Sequence, residues 1–531
     1  MIKLALVGLD GATFRIIKPL CNEGKLPNLK KLITKGVHGL LESTFPPVTG
    51  PAWSALATGK NPGRTGIFDT VLPAGEQRFN TRIVTSDDIR RARAYWDYLS
   101  DAGVRVGVVN YPFLYPPYRL NGMMVSGLGS RPHDDIFYPG ELRQAIEKEC
   151  GQYRITVPWR NARYTRNTQL FIKDIFKLLE INRKTLKFLL QTDIEVLTFV
   201  ISASDFAQHY MWRYIDPYQL HFEKAEAEEY YPAFVELWQG IDDILGMMLE
   251  TLPKEANVLL VSDHGFGPNR SYFYTNSWLE KEGYLFRKRL PGKITVLSHM
   301  ARRLVRKVPY ISTRLATLPA MKRLVWTADM LPIDMERSLA FSPANASLTG
   351  KICINKSALS RSGQGYTPES LRNEIIQKLE ETCRDLGLQL KVYLPDDLYN
   401  GHYLKLAPDI MFEIDEFECS IRYVFHQGSF HEPADDPVHS GIHKREGILI
   451  VHGPDINQGA AIEGARIYDI APTILHMFGL PVPTDMDGEV LHQIFRKDSE
   501  VARRPIKYQE IDVEEVRIKD RIRKLRKAGK L

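Results

Sequence analysis

Cysteine is scarce in this 531-residue chain: Cys21, Cys150, Cys353, Cys383 and Cys419 are five, odd in number and never in CxxC spacing. That argues against a disulfide framework and a cysteine zinc site, and fits a reducing compartment. A dominant charge is missing too. The formal net charge of +6 is small for the length, so no sequence-specific nucleic-acid partner is expected. No apolar run reaches the length of a membrane span, and the opening run 2–10 is too short for a signal segment with its cleavage site. Low-complexity tracts and fixed-period repeats are absent. A P-loop is excluded because Ser54 stands five before Gly59, and Asn61 follows Lys60. What remains, 44% hydrophobic and 25% charged, is the composition of a globular protein. Its expected location is the cytoplasm, with peripheral contact at the inner membrane face.

Short apolar runs alternate with helical patterns, the signature of an α/β fold: a doubly wound, mostly parallel central sheet flanked by helices. The strand candidates are 4–9, 104–109, 123–126, 196–201, 258–261, 410–414 and 448–451. Helices are expected over 26–34, 92–99, 140–147, 169–191, 232–252 and 368–386. Such a sheet binds ligands beyond the carboxyl ends of its strands. Residues 1–495 form the expected catalytic domain, interrupted by a basic helical insertion at 281–335 and followed by a charged tail at 496–531. Within the insertion, residues 283–328 hold no Asp or Glu but eleven Lys/Arg, between Arg287 and Arg323. Apolar residues are interleaved, so 287–323 reads either as a contact for an anionic membrane or polyanionic substrate, or as a solvated helical cap.

Several predicted strands end in metal-ligating residue types. Strand 4–9 runs into Asp10; strand 196–201 runs into Asp205-Phe-Ala-Gln-His209, whose spacing puts a carboxylate and an imidazole on one helical face. Strand 258–261 runs into Asp263-His264, and His439-Ser-Gly-Ile-His443 precedes strand 448–451. These are ligand types for Zn²⁺ or Mn²⁺. Together they fit two divalent ions about 4 Å apart, as in phosphoryl-transfer sites. Thr49 precedes the helical run Pro51-Ala-Trp-Ser-Ala-Leu-Ala57. Alone it would be a helix cap; beside two metals, its hydroxyl becomes an activated nucleophile at an anion-favouring helix end.

The ordered set Asp10, Thr49, Asp205, His209, Asp263-His264 and His443 resembles the alkaline phosphatase superfamily, and within it the type I phosphodiesterase/nucleotide pyrophosphatase branch. Supporting text includes Gly8-Leu-Asp-Gly11, Pro47-Val-Thr-Gly-Pro51, Leu56-Ala-Thr-Gly59, Asn61-Pro-Gly63 and Asp469-Ile-Ala-Pro-Thr-Ile-Leu475. The resemblance covers residues 1–490, apart from the basic insertion. It implies one metal held by Asp10, Thr49, Asp263 and His264, and another held by Asp205, His209 and His443, with His439 the second choice for the last. It further implies in-line attack by Thr49 and a phosphothreonine intermediate, with Gly50 and Trp53 near the substrate. The expected substrate is a phosphate-ester small molecule or a lipid or glycan phosphoester. The branch's usual asparagine is missing from the turn after Thr49, where Ala52 and Trp53 stand, so monoester and diester chemistry both stay open. A phosphomutase or phospho-alcohol transferase on the same scaffold is the alternative reading, and an inactive binding protein the next. Because His443 precedes its strand, it is expected to reach the site from a loop.

Overall fold

The computed structural model describes residues 1–73, 81–131, 134–158, 164, 167–288, 333–344, 349–363, 365–426 and 428–511. Nearly all of the basic insertion and residues 512–531 of the tail lie outside the described residues. Nine strands form the central sheet: β1 Leu4–Leu9, β2 Val37–Glu42, β3 Val106–Tyr111, β4 Gly122–Ser126, β5 Phe137–Tyr138, β6 Val196–Ile201, β7 Asn257–Val261, β8 Glu446–His452 and β9 Ala460–Arg466. Their order is β9-β2-β8-β7-β1-β6-β3-β4-β5. Only β8 and β5 run against the rest, so the sheet is mostly parallel.

Alternation of side chains across the pleat explains the two cores. Leu4 and Leu6 of β1 enter one apolar cluster with Ala52, Leu56, Tyr95, Trp96, Ile474 and Leu475. Ala5, Val7 and Leu9 enter the other, with Ile17, Leu29, Leu178, Ala207 and Trp238. Helices therefore cover both faces, and β1, β6 and β7 are wholly buried, which is why they read as unbroken apolar runs.

Register carries the functional consequence. Leu9 pairs with Ile201, and Gly8 with Val261. The three central strands thus end abreast, and the residues that follow them leave the sheet at one edge. Helix α1, Thr49–Thr58, is set against the same strand by a close contact at Gly8. A Cβ built there would lie 2.3 Å from Cη2 of Trp53.

Several elements differ from expectation. The apolar run 410–414 does not join the central sheet. Ile410–Ile414 lies in a separate antiparallel sheet with Ala340–Phe341, Gly350–Ile354 and Leu390–Tyr393, backed by helix Pro368–Asp385 over its own core. An apolar run shows that a strand is buried, not which sheet buries it. The helix expected over 92–99 is two, Ser86–Ala92 and Tyr95–Asp101, parted where Arg93 adopts φ 62°. The start of the charged tail is packed onto the body: Val501 is buried, and Tyr508–Gln509 pairs with Val482–Pro483. Among the described residues, no helix is long and apolar enough to cross a membrane.

Candidate functional site

The edge where β1, β6 and β7 end collects the predicted ligands. Asp10 follows β1. Helix α2, Ala203–Met211, follows β6 and carries Asp205 and His209 one turn apart, with Nε2 of His209 3.5 Å from Oδ1 of Asp205. Asp263 and His264 follow β7, and the chain continues into strand Gly265–Pro268. That strand pairs antiparallel with Gly441–Lys444, Phe266 opposite His443. His443 is therefore held in a strand, not on a loop. This ladder stacks the His443 and His264 rings, their centroids 3.6 Å apart.

Two groups of donor atoms result, each within 4.8 Å: Asp205, His209 and His443, and Asp10, Asp205 and His264. Nε2 of His443 lies 3.2 Å from Oδ1 of Asp205 and 2.9 Å from Nε2 of His209. Nε2 of His264 lies 3.2 Å from Oδ2 of Asp263 and 3.6 Å from Oδ1 of Asp10. Asp205 thus borders both groups.

The imidazole tautomers follow from the other ring nitrogen. Nδ1 of His209 is 2.9 Å from the Gly441 carbonyl, Nδ1 of His443 is 3.1 Å from that of Pro47, and Nδ1 of His264 is 3.2 Å from that of Gly265. A carbonyl only accepts, so each Nδ1 holds the proton and each Nε2 turns a lone pair toward the carboxylates. Two imidazole lone pairs and a carboxylate oxygen then face one point, which suits a cation. Oδ1 of Asp10, Oδ1 of Asp205, Oδ2 of Asp263 and Nε2 of His264 are all buried without a hydrogen-bond partner. Orphaned acceptors at this density are costly unless an ion satisfies them. Carboxylate and imidazole donors with open lone pairs fit divalent cations.

Electrostatics agree. Burial, then the neighbouring Asp263 and Asp205 carboxylates, hold the Asp10 pKa well above its ordinary value. Burial pushes Asp263 up to about 8. Burial, then His443, drives His264 well below the usual imidazole value. Without compensating positive charge, the pocket disfavours the ionised aspartates that a metal requires.

Thr49 is the first residue of α1. Its cap is Val48, and no side-chain capping bond is made there, so capping does not explain the threonine. The turn around it is tied to both donor groups: the Pro47 carbonyl holds His443, and Nε1 of Trp53 is 3.4 Å from Oδ2 of Asp10. Trp53 is fully buried, with its indole N–H toward Asp10. Gly50 is buried in the first helical turn, where backbone N–H groups lack helical partners. His439 lies beside the cluster, its ring 5.2 Å from that of His209, and belongs to neither donor group.

Sequence reasoning missed the supports. The hydroxyls of Ser43, Ser204 and Ser262 donate to the carbonyls of Asp263, Asp10 and His264, and Gln208 donates to that of Gly11. Phe266 packs against all three imidazoles. Ser204, Gln208, Ser262 and Phe266 lie within two residues of a ligand, a signal that was available. Ser43 had none.

Residues 4–443 match the family model for type I phosphodiesterase / nucleotide pyrophosphatase. The chain belongs to this family. The match spans the strand ends, α1 and the ladder, ending at His443, the last predicted ligand. No curated protein matches the chain. Membership of this family, within the alkaline phosphatase superfamily, makes the protein a phosphohydrolase on a mixed α/β fold, in a family that acts on phosphodiester or pyrophosphate substrates.

Proposed function

We propose that this phosphohydrolase cleaves a small-molecule phosphate ester by covalent catalysis at Thr49, in a centre built for two divalent ions. The observation that supports it best is the convergence of Asp10, Asp205, Asp263, His209, His264 and His443, with acceptor atoms of Asp10, Asp205, Asp263 and His264 unpaired and the Nε2 atoms directed inward. Asp205, His209 and His443 would hold one ion; Asp10, Asp263, His264 and Thr49 the other. Imidazole and carboxylate donors favour Zn²⁺, with Mn²⁺ second. Bound ions supply Lewis acidity, lowering the proton affinity of the threonine hydroxyl and screening charge on the phosphoryl oxygens.

In this scheme the deprotonated Oγ1 of Thr49 forms a bond to phosphorus in line with the ester oxygen that departs. The first turn of α1 directs its free N–H groups and dipole toward the phosphoryl anion. Water then attacks the phosphothreonine, releasing the phosphoryl group and restoring Thr49. The three Nδ1–carbonyl bonds keep the imidazoles oriented throughout, and Trp53 holds Asp10.

Hydrolysis of an activated aryl phosphodiester and monoester by metal-loaded protein tests the scheme. Chelation should abolish activity and Zn²⁺ or Mn²⁺ should restore it. Thr49→Ala should lower kcat by more than about 10³-fold, the scale of nucleophile removal elsewhere, and remove acid-stable labelling by phosphate. Undiminished turnover in Thr49→Ala would reject the nucleophile.

A further inference from the structure

Lys351 belongs to strand Gly350–Ile354 of the second sheet, remote in sequence from every residue of the centre. Its ammonium is nonetheless buried against the central body. Nζ donates to Oδ2 of Asp69 and, at 3.1 Å, to the carbonyl of Phe68. The side chains of the pair are 3% and 6% exposed. A cavity of about 60 Å³ beside them is lined by Phe68, Val71, Leu72, Cys353 and Leu406, among others. Water is therefore nearly excluded from the pair, where losing a partner is costly.

The other oxygen of Asp69 governs backbone. Oδ1 accepts from the N–H of Thr70 at 2.7 Å and, two residues on as in an aspartate turn, from that of Val71 at 3.5 Å, which ties the side chain to the path of the chain there. That path runs against the residue after the proposed nucleophile. A Cβ placed on Gly50 would come within 2.8 Å of the Thr70 Cα, 3.0 Å of its nitrogen and 3.2 Å of the Asp69 carbonyl oxygen. Only a glycine admits so close an approach, and the contact sets the 69–70 backbone directly against the residue after Thr49.

We propose that Lys351 is a positioning residue for Thr49, acting through Asp69 and the Thr70 backbone on Gly50. The second sheet thereby takes part in the reaction without touching substrate. Its strand Gly350–Ile354 sets the Lys351 ammonium on one oxygen of Asp69, which fixes that carboxylate and the turn it carries against α1. Displacing a nucleophile by about 1 Å can cost about 100-fold in rate, so this buttress should appear in kcat and not in metal content. The inference rests on Thr49 being the nucleophile.

Four variants of the full-length, metal-loaded protein test it against an activated aryl phosphodiester. Lys351→Met should lower kcat about 10- to 100-fold with KM and metal stoichiometry unchanged; it takes a buried cation from a carboxylate, so it is compared with two pairs that remove both charges. In Lys351→Met/Asp69→Asn the asparagine oxygen still accepts from Thr70 N–H, and in Lys351→Met/Asp69→Leu nothing does. Both pairs should regain thermal stability, but only the asparagine pair should regain kcat. Equal kcat in the two pairs, or lost kcat that merely follows lost stability, would overturn the proposal. Thr49→Ala is the fourth variant: if it retains full turnover, the nucleophile assignment has failed, whatever the pairs show.

Discussion

Asp205 offers the sharpest test of the metal centre, because its replacement should act with opposite sign in the two states of the protein. Oδ1 of Asp205 is 3.2 Å from Nε2 of His443 and borders both donor groups. In the metal-free protein its charge is unfavourable, raising the pKa of both Asp10 and Asp263. Asp205→Asn keeps the shape and deletes that charge, so the metal-free variant should melt no lower than the parent. The loaded protein should respond otherwise. A unit charge 4 Å from another is worth about 4 kcal/mol at an effective dielectric constant of about 20. A divalent ion doubles this; the retained amide oxygen and the easier desolvation of a neutral group offset roughly half. A net loss of about 4 kcal/mol is about three decades in affinity. At a metal concentration about 1,000 times the parental Kd, stabilisation by binding would fall from about 4 kcal/mol to about 0.4 kcal/mol. Differential scanning calorimetry with and without Zn²⁺, beside metal analysis after dialysis against a weak chelator, reads both effects. A variant that melts lower when metal-free and still takes up both ions with parental affinity would show that Asp205 is structural, and the reasoning would fail.

Three further outcomes follow from the geometry. The folded pKa of Asp263, about 8 in the metal-free protein, lies above the unfolded carboxylate value of about 3.9. The folded state therefore binds more protons between those limits, and metal-free stability should fall as pH rises from about 4 to about 8. Zn²⁺ added at pH 7 should release protons, detectable as a buffer-dependent binding enthalpy; no release would contradict protonated ligands. Gly8→Ala would set a methyl against Trp53 and force the indole from Asp10. A loss of about 1–3 kcal/mol in stability is expected, with weaker metal binding; parental values for both would show that the contact yields freely.

Much of the centre was legible because its ligands sit immediately after buried strands. Asp10, Asp205 and the Asp263-His264 pair each follow an apolar run, and a parallel sheet can deliver such residues to one edge. The Asp205–His209 spacing needed only one helical turn. His443 was legible as a candidate by residue type and order, but its placement was not. A two-residue-periodic stretch of four residues, Gly441–Lys444, is too short to announce a strand, and its partner Gly265–Pro268 contains glycine and proline, which ordinarily speak against one. The surroundings of Trp53 were hidden for a similar reason: an aromatic in a first helical turn can face solvent or core, and the contact with Gly8 is a tertiary one.

The sequence by itself determined the chemistry on offer: which carboxylates, imidazoles and hydroxyl, in what order, and on an α/β frame. Those depend on local patterning, strand by strand and turn by turn. Tertiary structure alone decided the rest. Register brought Leu9, Ile201 and Val261 to one edge; backbone carbonyls chose the tautomers of three histidines; and an antiparallel second sheet, not an extension of the first, placed Lys351 against Asp69. Each of these joins groups far apart in the chain, and their pairing arises only when burial makes an unmatched charge or polar group too costly to leave alone.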